Sequence, residues 1–550
     1  MGMTMATDAG SNTSQDGTIV QSMESIVAAI RRSVEEYQKT PRSDEDGRRL
    51  ADSLQRLVSN AQYGGRAKRD TPQLPWQPPD ARMRNVHQFV EEHKGSARKN
   101  PESFSRFEEG LHAHMMDVER GLVAEVMSAY DVDGEAIEIG GDAYRRVLRR
   151  ESTYMTSAGS VKVLRSLYRR CGSDDTSTVC PMDLRCGIIE DWWTGRAAKQ
   201  AVMMVSHMTP AQAECVFDRI GNMAPSKASL DRLPKLVSER WEERREELFR
   251  ELCDEIRIPD NTASLAVSLD GVHIPMDGSE RREGSGERAG DAGAEGGVAY
   301  REAGCATVTF CGVDGEALCT VRLARAPEPN KATLKEMVLN TVLAVLRRRP
   351  DLPIVKIADG APDNWRFLGS AKMPPGEEVL DFYHAAEHLH AAISGEAGLK
   401  PAEVDARYNE LRHVLRHHKY GVGKVIRALK EMIANDSSNA SACRTLKFFQ
   451  TNKKRMNYAI VAERGRMIGS GLVEAACKTL VAQRLKRSGM RWSMKGAQAI
   501  LTPRGWLQSD CYDEAWALLA ATYCADVTVL AHVIPLGKKD GENLRKNASQ

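Results

Sequence analysis

The stretch Ala263-Ser-Leu-Ala-Val-Ser-Leu-Asp-Gly-Val-His-Ile-Pro275 decides the fold that this sequence predicts. In its first half, large apolar residues alternate with small ones, which is the period of two typical of a half-buried strand. Asp270 and Gly271 follow, and an Asp-Gly pair is a common turn signal. We therefore predict a strand that ends at Asp270 and leaves its carboxylate at the edge of a sheet.

The same arrangement occurs again at Pro353-Ile-Val-Lys-Ile-Ala-Asp-Gly360. Between the two, strand-like segments at 306–313 and 317–323 are separated by an Asp-Gly hairpin signal, and residues 331–349 have the apolar spacing of a helix. The order strand, strand, strand, helix, strand is that of a ribonuclease-H-like fold. Such a fold sets the ends of its first and fourth strands side by side, so we expect the two aspartates to converge.

Asp270 and Asp359 thus form a candidate metal site. Adjacent carboxylates repel each other unless divalent cations lie between them, and hard oxygen ligands suit Mg²⁺ or Mn²⁺. A third acid is normally needed, and Glu474 stands in Ile468-Gly-Ser-Gly-Leu-Val-Glu474, where glycines permit a tight entry into a helix. A structural interpretation stays open, because the helix dipole also favours glutamate in a first helical turn.

Composition and length are those of a globular protein. At roughly 100 to 200 residues per domain, the chain of 550 residues is expected to hold about three to five domains. Its 12 cysteines lack regular Cys-x-x-Cys pairing and the N-terminus does not resemble a secretory leader, which fits a reducing cytoplasm. The longest apolar stretch, 515–536, contains Asp526 and His532, which are costly at a bilayer centre, so we expect no membrane span.

Charge is distributed unevenly along the chain. The formal net charge is +2, but residues 407–495 contain 20 lysines and arginines against 5 aspartates and glutamates, a local charge of +15. Charged runs are usually solvated faces. This excess flanks the proposed metal ligands, however, and neutralisation of nucleic-acid phosphates would account for both features.

A helix-turn-helix is predicted upstream. Thr209-Pro-Ala-Gln212 combines a capping residue, a first-turn proline and a glutamine three positions on, so a helix should start there and end at Gly221. A second short helix should run from Ser226 to near Pro234. It carries Lys227 and Arg232, with Lys235 just beyond its end, and could enter a DNA major groove. A helical hairpin that serves only packing fits the same sequence.

Several motifs together resemble a known family. They are Ser268-Leu-Asp-Gly-Val272, Ala358-Asp-Gly-Ala361, Asp381-Phe-Tyr-His384, Gly469-Ser-Gly-Leu-Val-Glu474 and Arg484-Leu-Lys-Arg-Ser-Gly-Met-Arg-Trp492. In this order and spacing they resemble bacterial insertion-sequence transposases of the DDE type, in particular the Kra-type insertion-sequence group, relatives of the mutator-like elements. The resemblance covers roughly residues 263–506.

The resemblance implies an α/β plus α fold, in which a ribonuclease-H-like catalytic domain with a helical insertion is preceded by helical DNA-binding regions. The expected boundaries are a disordered tail at 1–20, an N-terminal helical region at 21–150, a DNA-binding region with the helix-turn-helix at 151–258, the catalytic domain at 259–393 and 467–525, the helical insertion at 394–466 and a C-terminal tail at 526–550. Residues 277–302, rich in Gly, Glu, Arg and Ser, depart from the family pattern and read as a flexible insertion.

The resemblance also assigns roles to residues. It implies that Asp270, Asp359 and Glu474 are the catalytic triad and hold two Mg²⁺ or Mn²⁺ ions that promote in-line attack on phosphorus. Asp381 and His384 match a signature near the active site. The residues assigned to DNA binding are Lys227, Arg232 and Lys235 of the predicted helix-turn-helix, and Lys478, Arg484, Lys486, Arg487 and Arg491 of the matching segment. Lys478 would equally suit a salt bridge on its own helix.

The implied partners are DNA, at the terminal inverted repeats of the element and at the target, and further copies of the chain in a homodimer or larger oligomer. The expected location is the bacterial cytoplasm, at the nucleoid.

Two other functions fit parts of the sequence. His384-Ala-Ala-Glu387-His388 has the His-x-x-Glu-His pattern of inverted zinc peptidases, in which two histidines on one helix face bind Zn²⁺ and the glutamate acts as a base. That pattern explains neither the two strand-end aspartates nor the basic stretch. A non-cleaving DNA-binding protein derived from a transposase is the other alternative, and the presence of all three acids argues against it.

Overall fold

The computed structural model describes residues 79–95, 99–277, 298–396 and 398–530. The chain divides into a first unit, Met1–Trp76, and a second unit, Gln77–Gln550, and every described residue belongs to the second. The predicted tail at 1–20 and most of the Gly-rich insertion at 277–302 lie outside the described residues. Within these ranges, no helix combines the length and apolar character needed to span a membrane.

The secondary structure falls into three successive parts. Before the central sheet come α1 (Pro79–Gly95), α2 (Pro101–Ala129), β1 (Ala136–Ile139), β2 (Asp142–Thr156), β3 (Gly159–Arg170), α3 (Pro181–Cys186), α4 (Gly195–His207), α5 (Pro210–Ile220), α6 (Lys227–Glu243) and α7 (Arg245–Asp254). The middle part holds β4 (Ser264–Asp277), β5 (Val298–Cys311), β6 (Ala317–Arg325), α8 (Ala332–Arg348), β7 (Ile354–Ala358), α9 (Pro362–Leu368), β8 (Glu377–Leu380) and α10 (Phe382–Ser394). The last part holds α11 (Pro401–His417), α12 (Gly421–Asn435), α13 (Ala440–Asn452), α14 (Tyr458–Glu463), α15 (Gly471–Ala476), a π-helical turn (Cys477–Ala482), α16 (Gln483–Leu485), α17 (Met494–Gln508), α18 (Tyr512–Ala521) and β9 (Thr528–Val529).

The central sheet has five strands in the order β6-β5-β4-β7-β8. β4, β5 and β6 pair antiparallel, whereas β7 pairs parallel to β4 and β8 parallel to β7. α8 packs on β5 and β6, and α17 packs on β6. Residues 264–269 of β4 are all buried, so both faces of this strand are covered and not one face as its alternating sequence predicted.

β4 does not end at Asp270, which corrects the sequence prediction. The strand continues to Asp277 and stays paired with β5 along its whole length, with Asp270 opposite Cys305. Its parallel pairing with β7, by contrast, covers only Leu265 to Ser268. Asp270 therefore lies just beyond the last residue of β4 that pairs with β7, in the part of β4 that pairs with β5.

The predicted helix-turn-helix corresponds to α5 and α6. Thr209 and Gln212 form the expected capping box, and Gly221 ends α5 with a left-handed φ of 80°. α6 differs from the prediction, because it continues through Pro234 to Glu243. Its inner face packs against α17, a helix whose residues 496–506 are all buried, and this packing keeps the helix intact beyond the proline.

The segment after α6 is also more buried than its charge suggested. The sequence predicts that residues 239–250 form a solvent-exposed linker helix. In the structure Trp241, Leu248 and Phe249 are buried, and the rings of Trp241 and Trp506 meet edge to face with centroids 4.6 Å apart. The helix-turn-helix is thus attached to the core of the central sheet.

A second sheet, in the order β3-β2-β1-β9, precedes the helix-turn-helix. The prediction that 21–150 is helical is wrong for its described end, because β1 and the start of β2 fall there. Residues 142–152 of β2 are half-buried or exposed and mostly polar, so no apolar period marks the strand. β9 lies in the predicted C-terminal tail and pairs with β1.

A buried charged network fixes the second sheet to α3. The Asp183 carboxylate accepts a hydrogen bond of 2.6 Å from the Tyr154 hydroxyl and a second bond from the Arg165 guanidinium. Burial raises the pKa of Asp183 above its usual value, and the Arg165 charge opposes that rise. The Tyr154 hydrogen bond opposes that rise as well, so the hydroxyl and the arginine together offset the cost of burying this carboxylate.

Candidate active site

Three aspartates follow one another along the same edge of the central sheet. The parallel register pairs Ser268 with Ile357 and Ala358 with Leu380. Continuing that register past the strand ends sets Asp270 opposite Asp359, and Asp359 opposite Asp381. Neighbouring strands are about 4.8 Å apart. The strand order thus places the two predicted strand-end acids at the ends of adjacent strands, with a third on the next strand.

Asp270 is half-buried and has a defined set of contacts. Its Oδ1 accepts the Gly271 backbone N–H at 2.7 Å, and its Oδ2 accepts the Cys477 thiol at 3.5 Å. The Lys331 ammonium lies 3.5 Å from the Asp270 carbonyl oxygen and 3.0 Å from Glu302. Asp270 therefore connects β4 with the helical segment that follows Glu474.

Asp359 is held by the start of α9. Its Oδ1 accepts the Ala361 N–H at 3.1 Å and the Asn364 amide at 3.1 Å. The same Asn364 amide also donates to the Leu269 carbonyl at 3.3 Å, so it links the end of β4 to the end of β7. A Cβ atom on Gly360 would lie 2.4 Å from the Phe448 ring, which explains glycine after this aspartate.

Asp381 is fully buried and organises the loop that carries Glu474. It caps α10 by accepting the His384 N–H at 2.5 Å, and its other oxygen accepts the Ser470 N–H. The Ser470 hydroxyl in turn donates to Glu474 at 3.2 Å. The predicted neighbour of the active site is thus a positioning residue that connects β8 to the third acid.

Glu474 lies in the first turn of α15 with an exposed side chain. Partial desolvation by the surrounding protein, followed by the carboxylates of Asp381 and Asp270, raises the pKa of Glu474 above its ordinary value. Asp381 and Asp270 can affect the pKa of Glu474 because the fold brings their charges near it, although both lie far from Glu474 in sequence. The carboxylates repel one another here, which is the setting in which divalent cations bind.

The donor chemistry of these acids suits a hard divalent cation. Among the described residues, no three His, Cys, Asp or Glu side chains lie close enough to hold one ion together. Asp270 and Asp359 offer carboxylate oxygens on adjacent strands, and Glu474 is a long, exposed side chain within electrostatic reach of Asp270. The residues fit Mg²⁺ or Mn²⁺ by type and place, and Glu474 would have to close on the pair.

The histidines of the zinc-peptidase pattern lie on one face of α10. The ring centroids of His384 and His388 are 4.9 Å apart, and His388 stacks on Phe448 at 4.1 Å. The Glu387 carboxylate is 3.7 Å from His384. Within the described residues no third metal-ligating side chain joins the pair, and the histidines serve as a contact between α10 and the helical insertion.

The helical insertion is basic on its surface and reaches the site through Phe448. Helices α11 to α14 lie between α10 and α15, where the insertion was predicted. Some of its bases pair with acids, as Arg407 does with Glu396. Exposed lysines and arginines on these helices and the turns beside them include Lys424, Arg427, Lys430, Arg444, Lys447, Lys453 and Lys454.

The predicted DNA-binding residues divide into exposed and buried ones. Those with exposed side chains are Lys227, Arg232, Lys478, Lys486, Arg487 and Arg491. Lys235 is half-buried and pairs with Asp231 at 2.6 Å. Arg484 is only 2% exposed, so its guanidinium does not lie on the open surface with the other bases of this run, and its assignment to DNA binding stays a prediction. The Arg484 guanidinium points inward, donates a hydrogen bond to the Val205 carbonyl and lies over the Trp492 ring.

Sequence reasoning missed three residues that contact the acids. They are Lys331 and Cys477, which lie against Asp270, and Asn364, which bonds to Asp359. Lys331 has a left-handed φ of 51° and follows Asn330 at 55°, an unusual conformation for residues other than glycine. Asn364 carried a weak signal, since it follows the Asp359-Gly360 turn by one helical turn.

No protein-family model and no curated protein sequence matches the chain. Among solved structures, the chain is similar to the Drosophila P element transposase strand transfer complex, at 10% identity and a TM-score of 0.21, over 60% of this chain and 82% of that one. It is also similar to the Mos1 transposase paired-end complex with left transposon end, at 13% identity and a TM-score of 0.13, over 50% of this chain and 80% of that one. Both neighbours are transposases. Because similarity at these TM-scores does not establish a shared fold, the function of this chain has to be inferred from its own residues.

Proposed function

We propose that the chain is a DDE-type transposase of an insertion sequence, which binds the ends of its element and performs metal-dependent DNA strand cleavage and strand transfer. One observation supports this above all others. Asp270 and Asp359 follow adjacent parallel strands, and Glu474, more than a hundred residues further along, is close enough for its pKa to respond to Asp270. A purely structural role for a first-turn glutamate does not require that convergence.

The sheet order supports a ribonuclease-H-like catalytic domain. Three antiparallel strands are followed by two parallel ones in the order β6-β5-β4-β7-β8, with α8 as the crossover. In such a sheet the carboxyl ends of β4 and β7 face the same edge, where open α/β sheets bind ligands. The helices inserted before Glu474 agree with the mutator-like pattern.

Asp270, Asp359 and Glu474 would hold two Mg²⁺ or Mn²⁺ ions, which would supply a nucleophilic oxygen and stabilise the leaving oxygen at phosphorus. Asp381 fixes the loop before Glu474, and Asn364 fixes Asp359 against β4. Lys331 offers a cation beside Asp270 that can attract a DNA phosphate. The exposed bases of the insertion would bind the DNA backbone, and a homodimer or larger assembly would hold two ends.

The direct test uses DNA from either side of the open reading frame. Purified full-length protein and Mg²⁺ are expected to cut a plasmid that carries these flanks at the element ends, and to join the exposed 3′ ends to a second plasmid. A plasmid without the flanks is the control. Hydrolysis of peptides with stoichiometric Zn²⁺, without any DNA cleavage, would instead favour the peptidase alternative.

The pH dependence of cleavage follows from the raised pKa of Glu474. Since a raised pKa keeps the carboxyl protonated at a higher pH than usual, cleavage at limiting Mg²⁺ is expected to fall as the pH drops through that pKa. Glu387 is one of the charges that raise it, so Glu387→Gln should move the acid midpoint of the rate profile to lower pH. Glu410→Gln, an exposed change on α11, is the matched control. An identical midpoint in Glu387→Gln and wild type would contradict this assignment.

A further inference from the structure

Three arginines from the chain beyond Glu474 meet at the carboxyl end of α4. Arg484, Arg504 and Arg487 donate to the carbonyl oxygens of three successive residues there, Val205 at 3.3 Å, Ser206 at 2.7 Å and His207 at 3.1 Å. The end of a helix carries about half a negative charge. It can therefore offset only a fraction of three guanidinium charges.

The described residues supply no carboxylate partner for these arginines. Arg484 and Arg504 are both buried, and the charges that act on Arg484 are those of Arg487 and Arg504. Burial and these neighbours lower the pKa of Arg484 to about 10. A buried cluster of like charges is costly. A bound anion would relieve the repulsion.

A cavity of about 210 Å³ opens beside Arg484. We call it the Arg484 pocket. Its polar and first-turn lining consists of Thr209 and Pro210 at the start of α5, Asp231 and Lys235 on α6, Arg484, Arg491 and Trp492 before α17, and Gly496 in the first turn of α17. The cationic groups of Lys235, Arg484 and Arg491 thus surround one space. The amino ends of α5 and α17 border it and add the positive end of the helix dipole, although the Thr209 and Ser493 side chains already cap their backbone N–H groups.

The one acid in the lining, Asp231, is already paired with Lys235 at 2.6 Å. It lowers the positive potential of the pocket without filling it. Lys227, Asp231 and Lys235 are four residues apart, so they share one face of α6. That face belongs to the predicted second helix of the helix-turn-helix, with Lys227 exposed about 12 Å from Lys235 at the usual helical rise.

We propose that the Arg484 pocket binds a backbone phosphate of DNA, at the junction between the helix-turn-helix and the catalytic sheet. The phosphate is assigned to DNA and not to a free small anion because Lys227 lies on the same face of α6 as Lys235. Positive charge therefore extends from the pocket along the helix, as a DNA backbone would require. This part of the assignment rests on the proposed function. Through Arg484, which lines the pocket, the same phosphate would connect DNA binding at α5 and α6 with the segment that follows Glu474.

The test uses residues that are exposed or half-buried, because Arg484 itself is embedded in the fold. Lys235→Ala is expected to weaken binding of a random-sequence duplex about tenfold and to reduce the slope of log affinity against log salt by about one unit. Asp231→Asn is expected to tighten binding, because it removes the only negative charge in the lining. Lys495→Ala removes an exposed lysine on α17 outside the pocket, paired with Glu239 at 2.9 Å, and should leave the affinity unchanged. Fluorescence anisotropy at several salt concentrations measures all three, and circular dichroism checks folding.

Three outcomes decide the proposal. Equal duplex affinities for Lys235→Ala, Asp231→Asn and Lys495→Ala would overturn it. So would thermal stabilisation by inorganic phosphate that depends on Lys235 while duplex binding does not, since the pocket would then take a small free anion. If the wild-type protein cuts no DNA but the Lys235→Ala and Asp231→Asn effects appear, the proposed enzymatic activity fails and the phosphate pocket stands.

Discussion

Asp270→Asn and Asp359→Asn, each tested alone, are expected to reduce Mg²⁺-dependent cleavage at the element ends about a thousandfold or more. The substitution keeps the size of the side chain and removes the charge that would hold a divalent cation. Metal ions supply several kcal/mol of transition-state stabilisation, and each 1.36 kcal/mol is about a factor of ten in rate. Initial rates on the flanked plasmid, measured over a range of Mg²⁺ concentrations, give the result.

Duplex binding should survive in both variants, because the exposed bases lie on other elements. Asp363→Asn is the matched control. It neutralises a half-buried carboxylate on α9, four residues after Asp359, that pairs with Lys335 at 2.6 Å. Cleavage near the wild-type rate in either Asp270→Asn or Asp359→Asn would remove that residue from the catalytic set.

Arg165→Met is expected to have the largest effect on stability. It removes the cation beside the buried Asp183 carboxylate and leaves the Tyr154 hydroxyl as its remaining side-chain partner in the network. Breaking a buried ion pair by removing one partner costs about 3–5 kcal/mol. Hydrogen exchange of the β3 amides, read by mass spectrometry, should report a local free energy of opening lowered by about that amount.

The stability loss in Arg165→Met is expected to depend on pH in one direction. Without Arg165 the pKa of Asp183, already raised by burial, would rise further. A carboxyl whose folded-state pKa is above its unfolded value stabilises the fold below the unfolded pKa, and that stability is lost as the pH rises through the folded value. The defect of Arg165→Met should therefore be smaller in mild acid than at neutral pH. Arg169→Met, on the exposed end of the same strand, should show little change at either pH, and an equal loss in both variants would contradict the prediction.

The parts of the fold that the sequence predicts well are those with local signals. The strand at 264–269, the helix close to 331–349 and the start of α5 all appear near their predicted positions, because apolar spacing and capping residues act over a few neighbours. Asp270 and Asp359 could be singled out for the same reason. Each follows a short apolar run and precedes a glycine.

Other features depend on partners distant in sequence and gave no local signal. β4 passes Asp270 because β5 pairs with it further than β7 does. Arg484 points inward although the bases around it are exposed, since the carboxyl end of α4 lies there. β2 was missed because its exposed polar residues hide the period of a strand.

The pairing of β9 with β1 has a consequence for the synthesis of the chain. Thr528 and Val529 complete a sheet whose other strands lie at 136–170. At a synthesis rate of about 5 to 20 residues per second, a ribosome would need roughly 20 to 80 seconds to pass from β1 to β9. During that interval the backbone of Ile137 and Glu138 has an unpaired edge, a surface open to wrong pairing with neighbouring nascent chains. Of the two sheets in the described residues, the one that is synthesised first is thus the last to be completed.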